Sequence, residues 1–177
     1  MAQTSAVPLI GFFASVRKHS AESFAKRHPD PVFLFSATVT TDAAQHFVTT
    51  EATAAIELQR TKGTEAGRLG VEQRACPIKK SARNAVMPHI SIGRGLENDV
   101  VIEEPTVSKE HAFLERVGEV WTLVDMDSAN GTIVQGVRLP ANGSAPLTDG
   151  VEISLGSCQM RFLMPASFHA YIAKLLG

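Results

Sequence analysis

The sequence predicts a mainly β protein, a β-sandwich with a helix at each end of the chain. Three observations carry that reading. From residue 71 onward, short runs rich in Val, Ile, Phe and Thr alternate with turn residues about every eight to twelve positions, as in an all-β sandwich. Ahead of them, Leu9, Phe13, Val16, Ser20 and Phe24 step by three or four positions and line one helical face. After Pro165, the residues Phe168, Tyr171, Ile172, Leu175 and Leu176 make a second amphipathic helix.

The first element is a helix over about 6–28. Arg17, Lys18, Glu22 and Lys26 fall toward its polar side, and His28-Pro29-Asp30-Pro31 ends it, because proline disfavours helical geometry in the residue before it. Val32-Phe33-Leu34-Phe35 follows as a buried strand, about 32–36, bounded by breakers. Residues 38–70 take no firm assignment. Asp42 is placed to cap a helix reaching His46, and 52–59 has helical composition. Thr38, Thr40, Thr41, Thr49, Thr50 and Thr53 pull toward extended backbone, and Gly63, Gly67 and Gly70 mark a surface stretch. Strands are then predicted at 72–79, 89–93, 100–102, 112–117, 120–124, 132–134, 151–155 and 159–164. Gly118-Glu119 and Leu147-Thr148-Asp149-Gly150 supply turns between them. The chain thus divides into an N-terminal extension (1–70), the sandwich (71–164) and a C-terminal helix (165–177).

Composition removes several functions. Seventeen basic and 18 acidic side chains in 177 residues give a net charge of −1, without the basic footprint of nucleic-acid binding. No run of about 18 apolar residues is present to span a membrane. The apolar stretch at 6–16 has Arg17 and Lys18 after it, the reverse of a signal peptide, so a cytoplasmic protein is expected. Aromatics make up 6%, too few for a stacking platform for single strands. Cys76 and Cys158 fit no metal motif and read as buried thiols.

Fragments of catalytic motifs fail on inspection. Ser108 and His111 have no nucleophile elbow around them. Gly93-Arg94-Gly95 starts like a dinucleotide fingerprint, but Asn98 stands at the third glycine. Asp125-Met126-Asp127 opens like a calcium loop, but its glycine comes one place late and Gly136 replaces the bidentate acid. No enzyme, cofactor or metal site is predicted.

The turns make a different set when taken together. Gly93-Arg94 ends one strand, Ser108-Lys109-Glu110-His111 opens another, and Ser128-Ala129-Asn130-Gly131-Thr132 joins two more. Loops of a sandwich gather at its two ends. If these share one end, they present a guanidinium, an ammonium, a hydroxyl and a carboxamide, a donor-rich set suited to phosphate oxygens.

These residues carry a resemblance. Ile92-Gly93-Arg94, Asn98-Asp99-Val100-Val101-Ile102, Val107-Ser108-Lys109-Glu110-His111-Ala112, Asp127-Ser128-Ala129-Asn130-Gly131-Thr132 and Leu147-Thr148-Asp149-Gly150 are similar, in order and spacing, to forkhead-associated (FHA) domains over about residues 71–163. The resemblance implies an eleven-stranded FHA-like β-sandwich whose apical loops bind phosphothreonine peptides. It assigns phosphopeptide binding to Arg94, Ser108, Lys109, Ser128 and Asn130. Arg94 and Ser108 would hold the phosphate and Asn130 the peptide backbone. Thr106 and Ala129 become peptide-specificity positions, Ala129 standing where many relatives have Thr, with Ser128 a substitute for the missing hydroxyl. Gly93, His111 and Gly131 become loop-shaping positions. The resemblance also makes the first and last strands neighbours, which would bring Cys76 and Cys158 near each other, though no structural disulfide is expected.

The expected function is therefore a phosphothreonine-binding adaptor whose partner is a phosphorylated protein, such as a Ser/Thr kinase or its substrate. Thr38–Thr53 offers a route to self-association. The alternative is a phosphate-independent scaffold that uses the sandwich or its flanking helices.

Overall fold

The computed structural model describes residues 6–40 and 69–177. Twelve strands are formed among them: β1 (Val7–Pro8), β2 (Val32–Thr40), β3 (Leu69–Pro77), β4 (Ile90–Gly93), β5 (Val100–Val101), β6 (Ala112–Val117), β7 (Val120–Asp125), β8 (Thr132–Val134), β9 (Val137–Arg138), β10 (Ser144–Leu147), β11 (Glu152–Leu155) and β12 (Cys158–Leu163). They build a seven-stranded sheet, β1-β3-β2-β12-β11-β8-β9, and a five-stranded sheet, β10-β7-β6-β4-β5. Helices α1 (Ile10–Lys18), α2 (Ala21–Arg27) and α3 (Pro165–Leu175) complete the fold. None of the described helices is long and apolar enough to cross a membrane.

The position of β2 follows from its composition. Val32-Phe33-Leu34-Phe35 is apolar without alternation, as expected of a strand covered on both faces. Phe33 enters the core between the sheets with Cys76, Ile92, Leu114, Leu123 and Phe162. Val32 and Leu34 belong to a second core with Ala75, Leu163 and the helical residues Phe12, Val16, Phe24, Phe168 and Ile172. The helices therefore form a third layer on the outer face of the seven-stranded sheet. Each fully buried aromatic or aliphatic side chain contributes about 1.5–3 kcal/mol.

Polar contacts orient this layer. Tyr171 donates its hydroxyl to Gln73 Oε1 on β3 at 2.8 Å, and His169 Nε2 lies 3.0 Å from the His19 carbonyl oxygen. Asp149, in the turn after β10, accepts from Met164 N at 2.8 Å and from the Ser167 hydroxyl. It thereby satisfies donors at the start of α3, where Pro165 needs none.

Several expectations are corrected. The helix over 6–28 is two helices. His19 is extended at φ −128°, ψ 140°, and Ser20 caps α2 by accepting from Ser23 N rather than extending an apolar face. Phe12 is buried, with Phe13 half-buried beside it; Leu175, assigned to the apolar side of its helix, is exposed. The strand at 32–36 continues to Thr40 and pairs with β3 over nine positions, so part of the N-terminal extension lies inside the sandwich sheet. The assignments at Asp42–His46 and 52–59, and most of the threonine-rich stretch, lie outside the described residues.

Insertion of β2 also separates the cysteines. Cys76 is opposite Phe33, whereas Cys158 is opposite Leu155 on the far side of β12. Both are free thiols. Burial pushes Cys76 up to about 12; burial, then Glu104, pushes Cys158 up to about 11.

Candidate functional site

The three predicted loops meet at one end of the sandwich: 94–99 after β4, 102–111 before β6, and 126–131 between β7 and β8. The middle loop joins the other two. Arg94 N donates to Ser108 O at 2.8 Å and Gly95 N to Lys109 O at 3.0 Å. From the third loop, Ala129 N donates to Ser108 Oγ at 3.0 Å and Asn130 Nδ2 to Thr106 O at 2.7 Å.

Two glycines permit this closeness. A Cβ on Gly93 would stand 2.1 Å from the Lys109 carbonyl oxygen, so no other residue fits there. Gly131 has φ +80°, a left-handed conformation costly for residues with a Cβ. Buried Asn98 fastens the same corner by donating to Gly95 O at 2.8 Å and Lys109 O at 2.6 Å. Behind it, buried Asp99 accepts from Lys80 Nζ, Ser81 N and Ser81 Oγ, each at 2.8 Å, and from Ser91 N at 2.9 Å. Burial opposes its ionisation, but these donors hold its pKa at about 2.

His111 is the internal post of the site. Its ring is 0% exposed, and Nδ1 accepts from Ser108 N at 3.0 Å. The proton consequently sits on Nε2, near the Gly131 carbonyl and Asp125 but without a hydrogen bond of ordinary geometry. Burial lowers its pKa against the opposing pull of Asp125 and that carbonyl. Asp125 is buried too, which resists its charge, but Ser128 and Thr132 lower its pKa by donating to it. Ser128 Oγ and Thr132 Oγ1 each lie 2.6 Å from Asp125 Oδ1.

The donors left facing solvent are specific. Arg94 is exposed; its Nε donates to Val107 O at 3.2 Å, leaving the two terminal nitrogens without a hydrogen-bond partner among the described residues. Among the described residues, neither Arg94 nor exposed Lys109 pairs with a carboxylate. Ser108 Oγ accepts from Ala129 N, which orients its lone pairs and leaves its single proton to donate. Asn130 uses one amide N–H on Thr106 O and retains a second N–H and its carbonyl oxygen.

Two predicted contacts are placed differently. The Ser128 hydroxyl, expected to face the peptide, donates to Asp125 Oδ1 at 2.6 Å. Thr106 Oγ1 points to the β11–β12 turn, 2.8 Å from Ser157 Oγ, and accepts from Ser157 N at 2.9 Å. Asn98 is the residue that loop reading passed over as a site component. Its signal is an Asn four positions after a Gly-Arg pair, an arrangement suited to closing a turn through its amide.

The model of the FHA domain matches residues 90–156, which span β4 to β11 and all three loops. The chain carries an FHA domain. An oxoglutarate dehydrogenase inhibitor from Corynebacterium jeikeium (strain K411) is 39% identical over 71 residues, covering 40% of this chain and 47% of that protein. The glycogen accumulation regulator GarA of Mycolicibacterium smegmatis is 37% identical over 76 residues, covering 43% and 46% respectively. The match to this chain therefore spans about half the length of these curated relatives. Among solved structures, the FHA domain of an Arabidopsis thaliana hypothetical protein is 18% identical, covering 76% of this chain and 86% of that one with a TM-score of 0.44. The inserted strand β2 and all three helices lie outside the stretch matched by the FHA model.

Proposed function

We propose that this FHA domain binds phosphothreonine-containing segments of partner proteins and acts through binding rather than catalysis. The observation that carries this reading is the Ser108–Arg94 pair. A hydroxyl oriented by Ala129 N stands in the loop whose backbone anchors Arg94, and the guanidinium has no carboxylate partner among the described residues. Phosphothreonine near neutral pH carries about −1.5 to −2 charges on strongly accepting oxygens, the complement of these donors.

In this reading Arg94 and Ser108 hold the phosphate directly, and Lys109 adds a point charge. Asn130 offers both a donor and an acceptor, which suits one backbone unit of an extended peptide. Ala129 flanks the phosphate as a methyl group. Gly93, Asn98, His111, Gly131 and Ser128 position the loops. The partner class is a Ser/Thr kinase or one of its substrates. The names of the relatives, an enzyme inhibitor and an accumulation regulator, support control through protein contact.

Arg94→Ala is expected to weaken binding of a phosphothreonine peptide by about 2–5 kcal/mol, since it removes one partner of a desolvated charge pair. Ser108→Ala should cost less, about 1–3 kcal/mol. Fluorescence anisotropy measures both. Equal affinity of Arg94→Ala and the parent protein would remove the assignment.

A further inference from the structure

Resting on the reading just given, we infer that the site selects phosphopeptides with a basic residue close to the phosphothreonine, and that Glu104 is the group that reads it. The cationic side of the site is formed by Arg94 and Lys109. Across Thr106 the charge reverses, because Ile102 is followed by Glu103-Glu104-Pro105. Thr106 links the two sides. Its carbonyl accepts from Asn130, the proposed backbone clamp, while its hydroxyl contacts Glu104 and Ser157.

The Glu104 carboxylate rests against the Thr106 and Ser157 hydroxyls. Its Oε1 lies 3.3 Å from both Thr106 Oγ1 and Ser157 Oγ, and those hydroxyls are 2.8 Å from each other. Gly156, at φ +58°, brings that turn close enough that a Cβ would stand 2.6 Å from the Thr106 carbonyl oxygen. The side chain is half-buried and, among the described residues, makes no ion pair and has no hydrogen bond on Oε2. A half-buried carboxylate with one oxygen turned to these hydroxyls and the other open is an acceptor for a guanidinium or ammonium. These contacts bias its orientation before binding, which reduces the entropy lost in forming the pair. An extended peptide advances about 3.3 Å per residue, so a side chain within about three residues of the one held by Asn130 comes within range. The surface is therefore dipolar, with phosphate at one pole and a basic side chain at the other.

The test uses the full chain and a phosphothreonine peptide with alanine flanks, in which arginine is placed in turn at each of the three positions on either side. One position should bind about two- to fivefold more tightly with Arg than with Ala. Glu104→Gln, which keeps an oxygen for Thr106 and Ser157, should erase that gain while leaving the alanine-flanked peptide's affinity within a factor of two. Glu103→Gln should leave the gain intact. Phosphate-dependent binding by the parent protein with no preference for Arg at any position would overturn the inference and leave the phosphothreonine reading standing. A gain that survives Glu104→Gln, or is lost in Glu103→Gln instead, would overturn it as well. Equal binding of phosphorylated and unphosphorylated peptides would remove both readings together.

Discussion

Ser108, Arg94 and His111 show how much chemistry rests on the orientation of single groups. Ser108 donates its backbone N–H to His111 and accepts from Ala129 through its hydroxyl, so the buried imidazole holds Ser108 within its own loop and the Ser108 hydroxyl ties that loop to the next. Protonating His111 would end the first bond, since an imidazolium has no acceptor. In the unfolded chain a histidine takes up its proton near pH 6.5, whereas folded His111 resists it. The unfolded state then binds more protons, so this contribution to stability is complete above about pH 6.5 and falls as the pH drops toward the lower folded value. His28, whose pKa is lowered by burial and then by Arg27 and His19, adds to the same window. Asp99 acts lower, its contribution present above about pH 4 and lost as the pH falls toward 2. His111→Asn, which keeps an acceptor but cannot titrate, should reduce the fall in melting temperature between about pH 6.5 and 5 to the share that His28 contributes, while leaving the loss below pH 4. A profile parallel to that of the parent protein would contradict this role. Spacing along the sequence brings Arg94, Ser108 and Asn130 to notice because each stands at a strand end beside a glycine or turn. The inward turn of Ser128 and the engagement of Thr106 with Ser157 depend on neighbours supplied by the fold, so spacing alone does not disclose them.

Among the elements, β2 has the largest consequence. Its partners β3 and β12 are distant in sequence, and pairing of that kind leaves no local pattern. What is local is the unbroken apolar run, which announces two covered faces without saying by what. The strands β6 and β8 agree with their predicted bounds, because Gly118-Glu119 and Asn130-Gly131 mark their ends. Two-residue β1 and β9 are too short to show alternation, and β10 contains Pro146, which demotes it as a strand in sequence reading. Phe33→Ala should destabilise the fold by about 3–5 kcal/mol, and Leu34→Ala by about 2–5 kcal/mol through the opposite core, both measurable by denaturant unfolding. We further expect a fragment of residues 71–164 to unfold far more readily than the full chain, because its first and last strands would lack the one that separates them. A fragment melting at the parent temperature would show that the sandwich closes without β2.

The whole molecule places its helical layer away from the loops that carry the proposed site. Helices α1, α2 and α3 cover the outer face of one sheet, while the loops holding Arg94, Ser108 and Asn130 gather at one end of the sandwich. The net charge of −1 does not predict an anion site; local placement of donors does. Binding should accordingly weaken as salt rises and as the pH falls below about 6, where the phosphate takes up its second proton. The measurement that tests the account most directly is binding of the full chain to an oriented phosphothreonine peptide library, with unphosphorylated and phosphoserine versions in parallel. The account predicts binding that requires phosphothreonine and is lost in Arg94→Ala. Equal binding to the unphosphorylated library by folded protein would contradict it and make the chain a scaffold that contacts its partners without phosphate.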